Sequence, residues 1–209
     1  MKTYITIMLA MALSANGYSQ MLDTLSQKEI QGIVYMREEE KLARDIYDSL
    51  YAKWKVNPFG NIRKSEQVHM DRVEELIEYY KLKDPLTESK GNPGVFLNNS
   101  LQKYYSELIN SGNQSLIEAL KVGAKIEELD ISDLNSYLAG TNNENISETY
   151  SYLKMASENH LRAFVRRLRQ YGINYSPVIL NSREFQTIIN TENKTPEKCN
   201  KDKVKGCQE

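Results

Sequence analysis

The stretch Ser65-Glu66-Gln67-Val68-His69 decides the fold, because it places a glutamate and a histidine three residues apart in a helix-forming run. Three residues are close to one helical turn, so both side chains can project from one face. The chain has two histidines, and the second, His160, ends the run Ser157-Glu158-Asn159-His160. Histidines at inward positions on two helices indicate a metal site inside a helical protein.

The composition is that of one globular domain with little net charge. The 209 residues are 26% charged and 40% hydrophobic, and the formal net charge is −1. This balance argues against broad nucleic-acid binding. Four arginines do cluster late in the last long predicted helix, where positive charge suits the helix dipole. We interpret them as a solvated helix end rather than a nucleic-acid patch: Arg162, Arg166, Arg167 and Arg169.

The two ends of the chain differ from its middle. Residues 1–19 have a lysine, a short apolar core and small residues before Gln20, which predicts a secretory signal too short to span a bilayer. We therefore expect a periplasmic or secreted protein, with no membrane insertion after signal removal. Residues 179–209 form a predicted C-terminal extension, partly disordered. Its Cys199 and Cys207 favour a local disulfide, with a metal or redox role as the alternative.

Residues 20–178 predict an all-α domain, because helical periodicity dominates and no run long enough for a sheet has strand periodicity. Four long amphipathic helices and a long crossover between the second and third predict an antiparallel four-helix bundle. Residues 82–113 form the crossover, which contains one short helix. The predicted helices span residues 26–55, 61–81, 98–110, 115–138 and 147–171, with a short helix at 183–190.

Six polar residues lie on the inward lines of the four long helices. Burying unpaired carboxylates together is prohibitive without compensation, and two divalent cations would balance four carboxylates. Carboxylate oxygens with imidazole nitrogens suit iron or manganese better than copper(I) or structural zinc. The alternative, solvated acids at the stripe edges, is favoured for any single glutamate but not for the set. The candidate metal ligands are Glu40, Glu66, His69, Glu127, Asp130 and His160.

Four segments carry a resemblance to known proteins. The run Glu40-Lys41-Leu42-Ala43-Arg44-Asp45-Ile46-Tyr47 resembles the first bundle helix of rubrerythrin, and Glu66-Gln67-Val68-His69 resembles its second. Glu127-Glu128-Leu129-Asp130 is similar to the paired acids of its third helix, and Ser157-Glu158-Asn159-His160 stands where a second Glu-x-x-His belongs. Longer strings around these runs are more similar to an uncharacterised ferritin-like family of bacteria and archaea. The resemblance covers about residues 27–177.

The resemblance implies a ferritin-like fold and a role for each ligand. Glu40 would be a terminal ligand, Glu66 a bridging carboxylate and His69 a nitrogen ligand. Glu127 would be a ligand from the third helix and His160 a nitrogen ligand from the fourth.

Position 157 departs from the ferritin-like pattern, because Ser157 stands where a second bridging glutamate is expected. Three alternatives remain: Asp130 supplies the carboxylate, which we favour; the second metal binds weakly; or Glu158 reaches inward through a helix bulge. Glu39 and Glu128 are the register alternatives to Glu40 and Glu127.

The first functional hypothesis is a non-haem di-iron oxidoreductase, with manganese or a mixed iron–manganese pair as options, reacting with oxygen, peroxide or ferrous iron. The alternative is a non-catalytic bundle with one metal ion or none. Expected partners are a small-molecule oxidant or metal ion, and a homodimer is a further option. Tyr47 is interpreted as core packing or a redox partner, and Asp133 as a solvated acid or an acceptor for a ligand imidazole.

Overall fold

The computed structural model describes residues 25–193 and 195, and within them it contains seven α-helices and no strand. The all-helical prediction is confirmed, whereas the antiparallel ferritin-like arrangement stays a prediction. The predicted signal peptide and both cysteines lie outside the described residues. The helices are α1 (Gln27–Trp54), α2 (Phe59–Tyr79), α3 (Pro85–Ser89), α4 (Asn99–Gly112), α5 (Leu116–Leu138), α6 (Glu144–Gln170) and α7 (Ser182–Ile189).

Helix caps explain where the long helices begin. The capping box of Ser26 and Glu29 is confirmed at the start of α1. Two predicted starts were wrong. Asn143 caps α6, about one turn before the predicted start, by accepting from the N–H of Ile146. α2 begins at Phe59, inside the predicted break, because Pro58 is tolerated at a helix start.

The crossover between α2 and α5 contains two helices rather than the single predicted one. The prediction missed α3, a five-residue helix that Asp84 caps and Pro85 begins. The predicted α4 is confirmed, and Asn98 caps it. The carboxylate of Glu38 on α1 accepts hydrogen bonds from the N–H groups of Leu97, at 2.5 Å, and Asn98, at 3.0 Å. A buried charge on α1 therefore fixes the crossover against the long helices.

The long helices pack most extensively as the pairs α1 with α2 and α5 with α6. Their apolar residues form two clusters. The Tyr47 cluster includes Tyr47, Phe59 and Phe164, and the Tyr150 cluster includes Ile33, Val73 and Tyr150. The predicted short helix α7 is confirmed, and it adds Phe185 and Ile188 to the Tyr47 cluster. Among the described residues, no helix combines the length and apolarity that crossing a membrane would require.

A polar zone separates the two clusters along every long helix. On α1, Glu40 lies between Met36 of the Tyr150 cluster and Ala43 of the Tyr47 cluster. Similar interruptions lie between Ile62 and Val73 on α2 and between Leu153 and Leu161 on α6. On α5 the polar residues lie between Ile126 and Leu134, with Ile131 of the Tyr47 cluster among them. These four interruptions contain the six predicted ligands.

Candidate metal centre

The six predicted ligands come from four helices and are all buried. α1 provides Glu40, α2 provides Glu66 and His69, α5 provides Glu127 and Asp130, and α6 provides His160. His160 is the most exposed of them, at 9%. Burial on this scale removes carboxylates from water, so the arrangement needs protons, cations or hydrogen-bond donors close by.

Glu40, Glu66 and His69 form a first triad, in which one ligand atom of each lies within 4.8 Å of the others. The Nδ1 atom of His69 is 2.7 Å from Glu66 Oε2 and 3.2 Å from Glu40 Oε2. The two α2 residues lie one turn apart, and α1 brings the third donor across the interface.

Glu66, Glu127 and His160 form a second triad under the same distance limit. The Nδ1 atom of His160 is 3.0 Å from Glu66 Oε1 and 3.4 Å from Glu127 Oε2. Glu66 belongs to both triads and directs one carboxylate oxygen to each. The rings of His69 and His160 stack with centroids 5.5 Å apart and planes 21° apart. The two triads are therefore adjacent and share one carboxylate.

Several buried polar atoms of the candidate ligands lack the hydrogen bonds that their burial demands. Glu40 Oε1, Glu66 Oε1, Asp130 Oδ1 and His160 Nδ1 have no hydrogen-bond partner among the described residues. His160 Nδ1 and Glu66 Oε1 are close, at 3.0 Å, but they are not aligned as a hydrogen bond. An unsatisfied buried acceptor costs about 1–3 kcal/mol. His69 Nδ1 does bond Glu40 Oε2, but each triad still has a carboxylate oxygen without a partner, so the residues present fit a metal ion.

The electrostatics show how strongly the histidines and carboxylates interact. Burial alone would lower the pKa of His160, but the charges of Glu66 and Glu127 raise it to about 10. His69 has its pKa raised well above the usual range, because Glu66 and Glu40 outweigh burial. Burial raises the pKa of Glu40 to about 7 even though His69 opposes the shift. The pKa of Glu66 is lowered, since both histidines outweigh its burial. Without metal, protons on the imidazoles balance the carboxylates.

Asp130 lies outside both triads, next to the serine that interrupts the ferritin-like pattern. Ser157 Oγ is hydrogen-bonded to Asp130 Oδ2 and lies 2.9 Å from the carbonyl oxygen of Leu153. A hydroxyl has one proton to donate, so both contacts form fully when Asp130 carries a proton of its own. Burial, with the charge of Glu40, raises the pKa of Asp130 well above its usual range. Asp130 and Ser157 thus form a hydrogen-bonded pair outside the two triads.

The alternative acids have other partners. Glu128 accepts hydrogen bonds from the Tyr175 hydroxyl and from three successive N–H groups, those of Val178, Ile179 and Leu180. It therefore anchors the chain after α6. Glu158 pairs with Lys154 at 3.3 Å. Neither acid belongs to a triad, so the structure offers no support for a bulge that turns Glu158 inward.

Glu39, which is buried on α1, interacts electrostatically with the half-buried Asp133 on α5. Burial, together with Asp130 and Asp133, raises the pKa of Glu39 well above the usual range. Asp133 contacts Glu39 and Tyr35 rather than a histidine. Both histidine Nε2 atoms lie beside Ser65 instead, so the interpretation of Asp133 as an acceptor for a ligand imidazole gains no support. Of the register alternatives, Glu40 is the one that reaches His69.

Two hydroxyl groups contact the triads. Tyr47 Oη donates a 2.7 Å hydrogen bond to Glu127 Oε1, so its role is more than packing. Ser65 Oγ lies 3.4 Å from His69 Nε2 and 3.1 Å from His160 Nε2. Sequence reasoning missed Ser65 as a site residue. Its position four residues before His69, on the same helix face, was the available signal.

Fold and site together define an all-helical protein whose buried carboxylate and histidine groups could hold a metal ion. Residues 29–192 match the family described as an uncharacterized protein domain, DUF2202. The chain belongs to this family.

A relative is known from Methanocaldococcus jannaschii, the uncharacterized protein MJ0754. It is 47% identical over 167 residues, which cover 80% of this chain and 89% of the relative. The crystal structure of hypothetical protein MJ0754, reported under the name Methanococcus jannaschii, matches with a TM-score of 0.79 and 46% identity. That match covers 82% of this chain and 97% of the crystallised one.

Proposed function

We propose that this protein is an exported, ferritin-like di-metal carboxylate protein with four antiparallel long helices. The metals are two iron ions, or manganese in one or both positions, and the protein reacts with oxygen, peroxide or ferrous iron. The observation that carries this proposal is the pair of triads that share Glu66. A carboxylate that directs one oxygen to each of two donor sets has the arrangement of a bridging ligand.

The donor set supports the choice of metal. Glu40, Glu66 and His69 would hold one ion, and Glu66, Glu127 and His160 the other. Within the part of the chain that the structure describes, both triads consist of carboxylate oxygens and imidazole nitrogens, which are typical of iron and manganese sites. When bound, a pair of such ions supplies electron exchange with a small oxidant or with ferrous iron.

The surrounding residues support the chemistry by position and by exclusion of water. The Tyr47 and Tyr150 clusters close the polar zone at both ends with fully buried side chains. Tyr47 orients Glu127 by its hydrogen bond. The Asp130–Ser157 pair adds a polar wall between α5 and α6. Burial of this kind strengthens the charge interactions among these side chains.

A second candidate function is metal binding without turnover, with one ion per chain. Ser157 favours this function. It stands where the resemblance places a second bridging glutamate, and a serine brings no negative charge to either triad. Its hydroxyl instead engages Asp130 and the Leu153 carbonyl.

Metal analysis separates these functions. Protein purified from iron-supplemented cells should contain about two irons per chain if both triads bind. One iron would support the binding module, and none would overturn both proposals. Stopped-flow mixing of the ferrous form with oxygen or peroxide then distinguishes an enzyme from a binder. Export is tested separately, by mass spectrometry of the amino terminus of the protein recovered outside the cytoplasm.

A further inference from the structure

Ser65 contacts both histidines from one position on α2. Its Oγ lies 3.4 Å from Nε2 of His69, four residues later on the same helix, and 3.1 Å from Nε2 of His160 on α6. The Ser65 side chain is half-buried, whereas both imidazoles are buried. One hydroxyl therefore lies on the outer side of the two stacked rings.

Both rings have the same orientation relative to the triads. Nδ1 of His69 faces Glu66 and Glu40, and Nδ1 of His160 faces Glu66 and Glu127. Nδ1 is thus the inward atom of each ring and Nε2 the outward atom. In the part of the chain that the structure describes, Ser65 Oγ is the hydrogen-bond partner of each Nε2.

This orientation sets a requirement for any metal bound inside. A neutral imidazole has one N–H group, so a ring that ligates through Nδ1 must have its proton on Nε2. Metal-bound histidines nearly always donate that second N–H to an acceptor, which fixes the tautomer and the ring plane. A serine oxygen has two acceptor positions, which equals the number of N–H groups directed at Ser65.

We propose that Ser65 is a positioning residue that holds both imidazoles with Nδ1 turned inward, one hydroxyl serving both metal positions. This inference rests on the proposed function, because it assigns the two Nδ1 atoms as ligand atoms. It goes further in assigning the outward atoms to a shared acceptor. Loss of the hydroxyl should therefore weaken both positions together, whereas loss of Glu40 or Glu127 should weaken one. The shorter contact predicts the larger effect at His160.

The test compares Ser65→Ala with Ser65→Thr, which keeps a hydroxyl, and with Ser106→Ala on α4, whose hydroxyl bonds the Gln102 carbonyl on an exposed face. Anaerobic titration with Fe²⁺ should show roughly 10–100-fold weaker binding in Ser65→Ala, as expected for loss of such an acceptor. Ser65→Thr should restore most of the affinity. Ser106→Ala should bind Fe²⁺ like the unmodified protein.

A second measurement needs no metal. The chain has two histidines, so ¹⁵N spectra of the imidazole rings resolve each one. In the metal-free protein, Ser65→Ala should shift the Nε2–H signals of both rings and speed their exchange with water. Ser106→Ala should leave them unchanged, and circular dichroism confirms that each variant is folded.

The outcomes are distinguishable. Unmodified protein that binds no Fe²⁺ would overturn the proposed function, and the metal-free ring spectra would still decide whether Ser65 contacts both histidines. If the unmodified protein binds Fe²⁺ while Ser65→Ala changes neither affinity nor ring signals, the role of Ser65 is overturned and the proposed function stands. A change at one ring alone would overturn the shared acceptor.

Discussion

Tyr47 on α1 donates a 2.7 Å hydrogen bond to Glu127 on α5, and both side chains are buried. The bond engages Glu127 Oε1, while Oε2 of the same carboxylate faces His160 Nδ1 at 3.4 Å. The phenol ring packs against Phe59 and Phe164, with centroids 6.0 and 5.4 Å away. Tyr47 thus connects the Tyr47 cluster to the second triad and limits the directions in which Glu127 can point.

The substitution Tyr47→Phe should destabilise the metal-free protein. The ring contacts remain, but Glu127 Oε1 loses its donor while buried, which costs about 1–3 kcal/mol. Urea denaturation measured in the presence of a chelator gives the free energy of unfolding. The control Tyr79→Phe removes a hydroxyl from a 54% exposed tyrosine on α2 and should change that free energy by less than ~0.5 kcal/mol. Equal values for both variants would contradict the role of the hydrogen bond.

The two triads predict different metal losses for two conservative substitutions. Glu40→Gln removes a charge from the first triad alone, so about one iron per chain should remain. Glu66→Gln removes the shared carboxylate, so both positions should be lost. Glu78→Gln, at an exposed position of α2, should retain the metal content of the unmodified protein. Elemental analysis decides, and equal losses in Glu40→Gln and Glu66→Gln would refute a shared ligand.

The metal-free protein should lose stability as the pH rises from about 5 to 10. The folded-state pKa of His160 is raised from 6.5 to about 10, so its stabilisation is complete below 6.5 and disappears as the pH passes 10. The pKa of Glu40 is raised from 4.5 to about 7, so the folded state loses stability as Glu40 ionises between pH 4.5 and about pH 7. Both shifts have the same sign. Thermal denaturation with a chelator should give a falling Tm across this range.

Bound metal should oppose that trend. Metal ligands must be deprotonated, so affinity rises with pH over the range in which the metal-free protein becomes less stable. Tm is measured anaerobically for protein with Fe²⁺ and for protein with chelator. The difference between the two Tm values should widen from about pH 6 to about pH 8, a range centred on the raised pKa of Glu40, about 7. A constant difference would contradict the exchange of protons for metal at the triads.

Periodicity in the sequence predicted which faces of the four long helices are inward, and the structure buries all six candidate ligands. Apolar residues before and after Glu66 and His69 fix which face of α2 is inward, and the structure agrees. On α1, every residue from Met36 to Ala43 is buried, because the crossover covers the outer face. Burial on α1 therefore does not distinguish Glu40 from its neighbours Glu38 and Glu39.

The sequence could not predict which residues of different helices contact each other. Ser65 meets His160 because α2 and α6 pack with a particular axial offset, and heptad spacing within one helix does not contain that offset. The same reason applies to Asp130. Its spacing on α5 placed it inward correctly, but its hydrogen bond to Ser157 depends on how α5 and α6 are aligned.

Gly123 on α5 is the position where close packing should be most sensitive to a methyl group. A Cβ there would clash with Cε1 of Phe164, whose side chain is fully buried against Tyr47 and Phe59. Overpacking of this kind costs typically ~1–3 kcal/mol, which exceeds the helix-propensity gain of up to about 1 kcal/mol from glycine to alanine. Gly123→Ala should therefore lower the free energy of unfolding.

The matched control for that prediction is Gly140→Ala, where the new Cβ would meet the flexible end of Lys28. Because Lys28 can move, the free energy of unfolding should change little. Displacement of Phe164 should also disturb Tyr47 and, through it, Glu127, so Gly123→Ala should bind Fe²⁺ more weakly than Gly140→Ala. Chemical denaturation and anaerobic titration measure the two effects. Normal stability in Gly123→Ala would show that Phe164 can move aside, contrary to the packing described here.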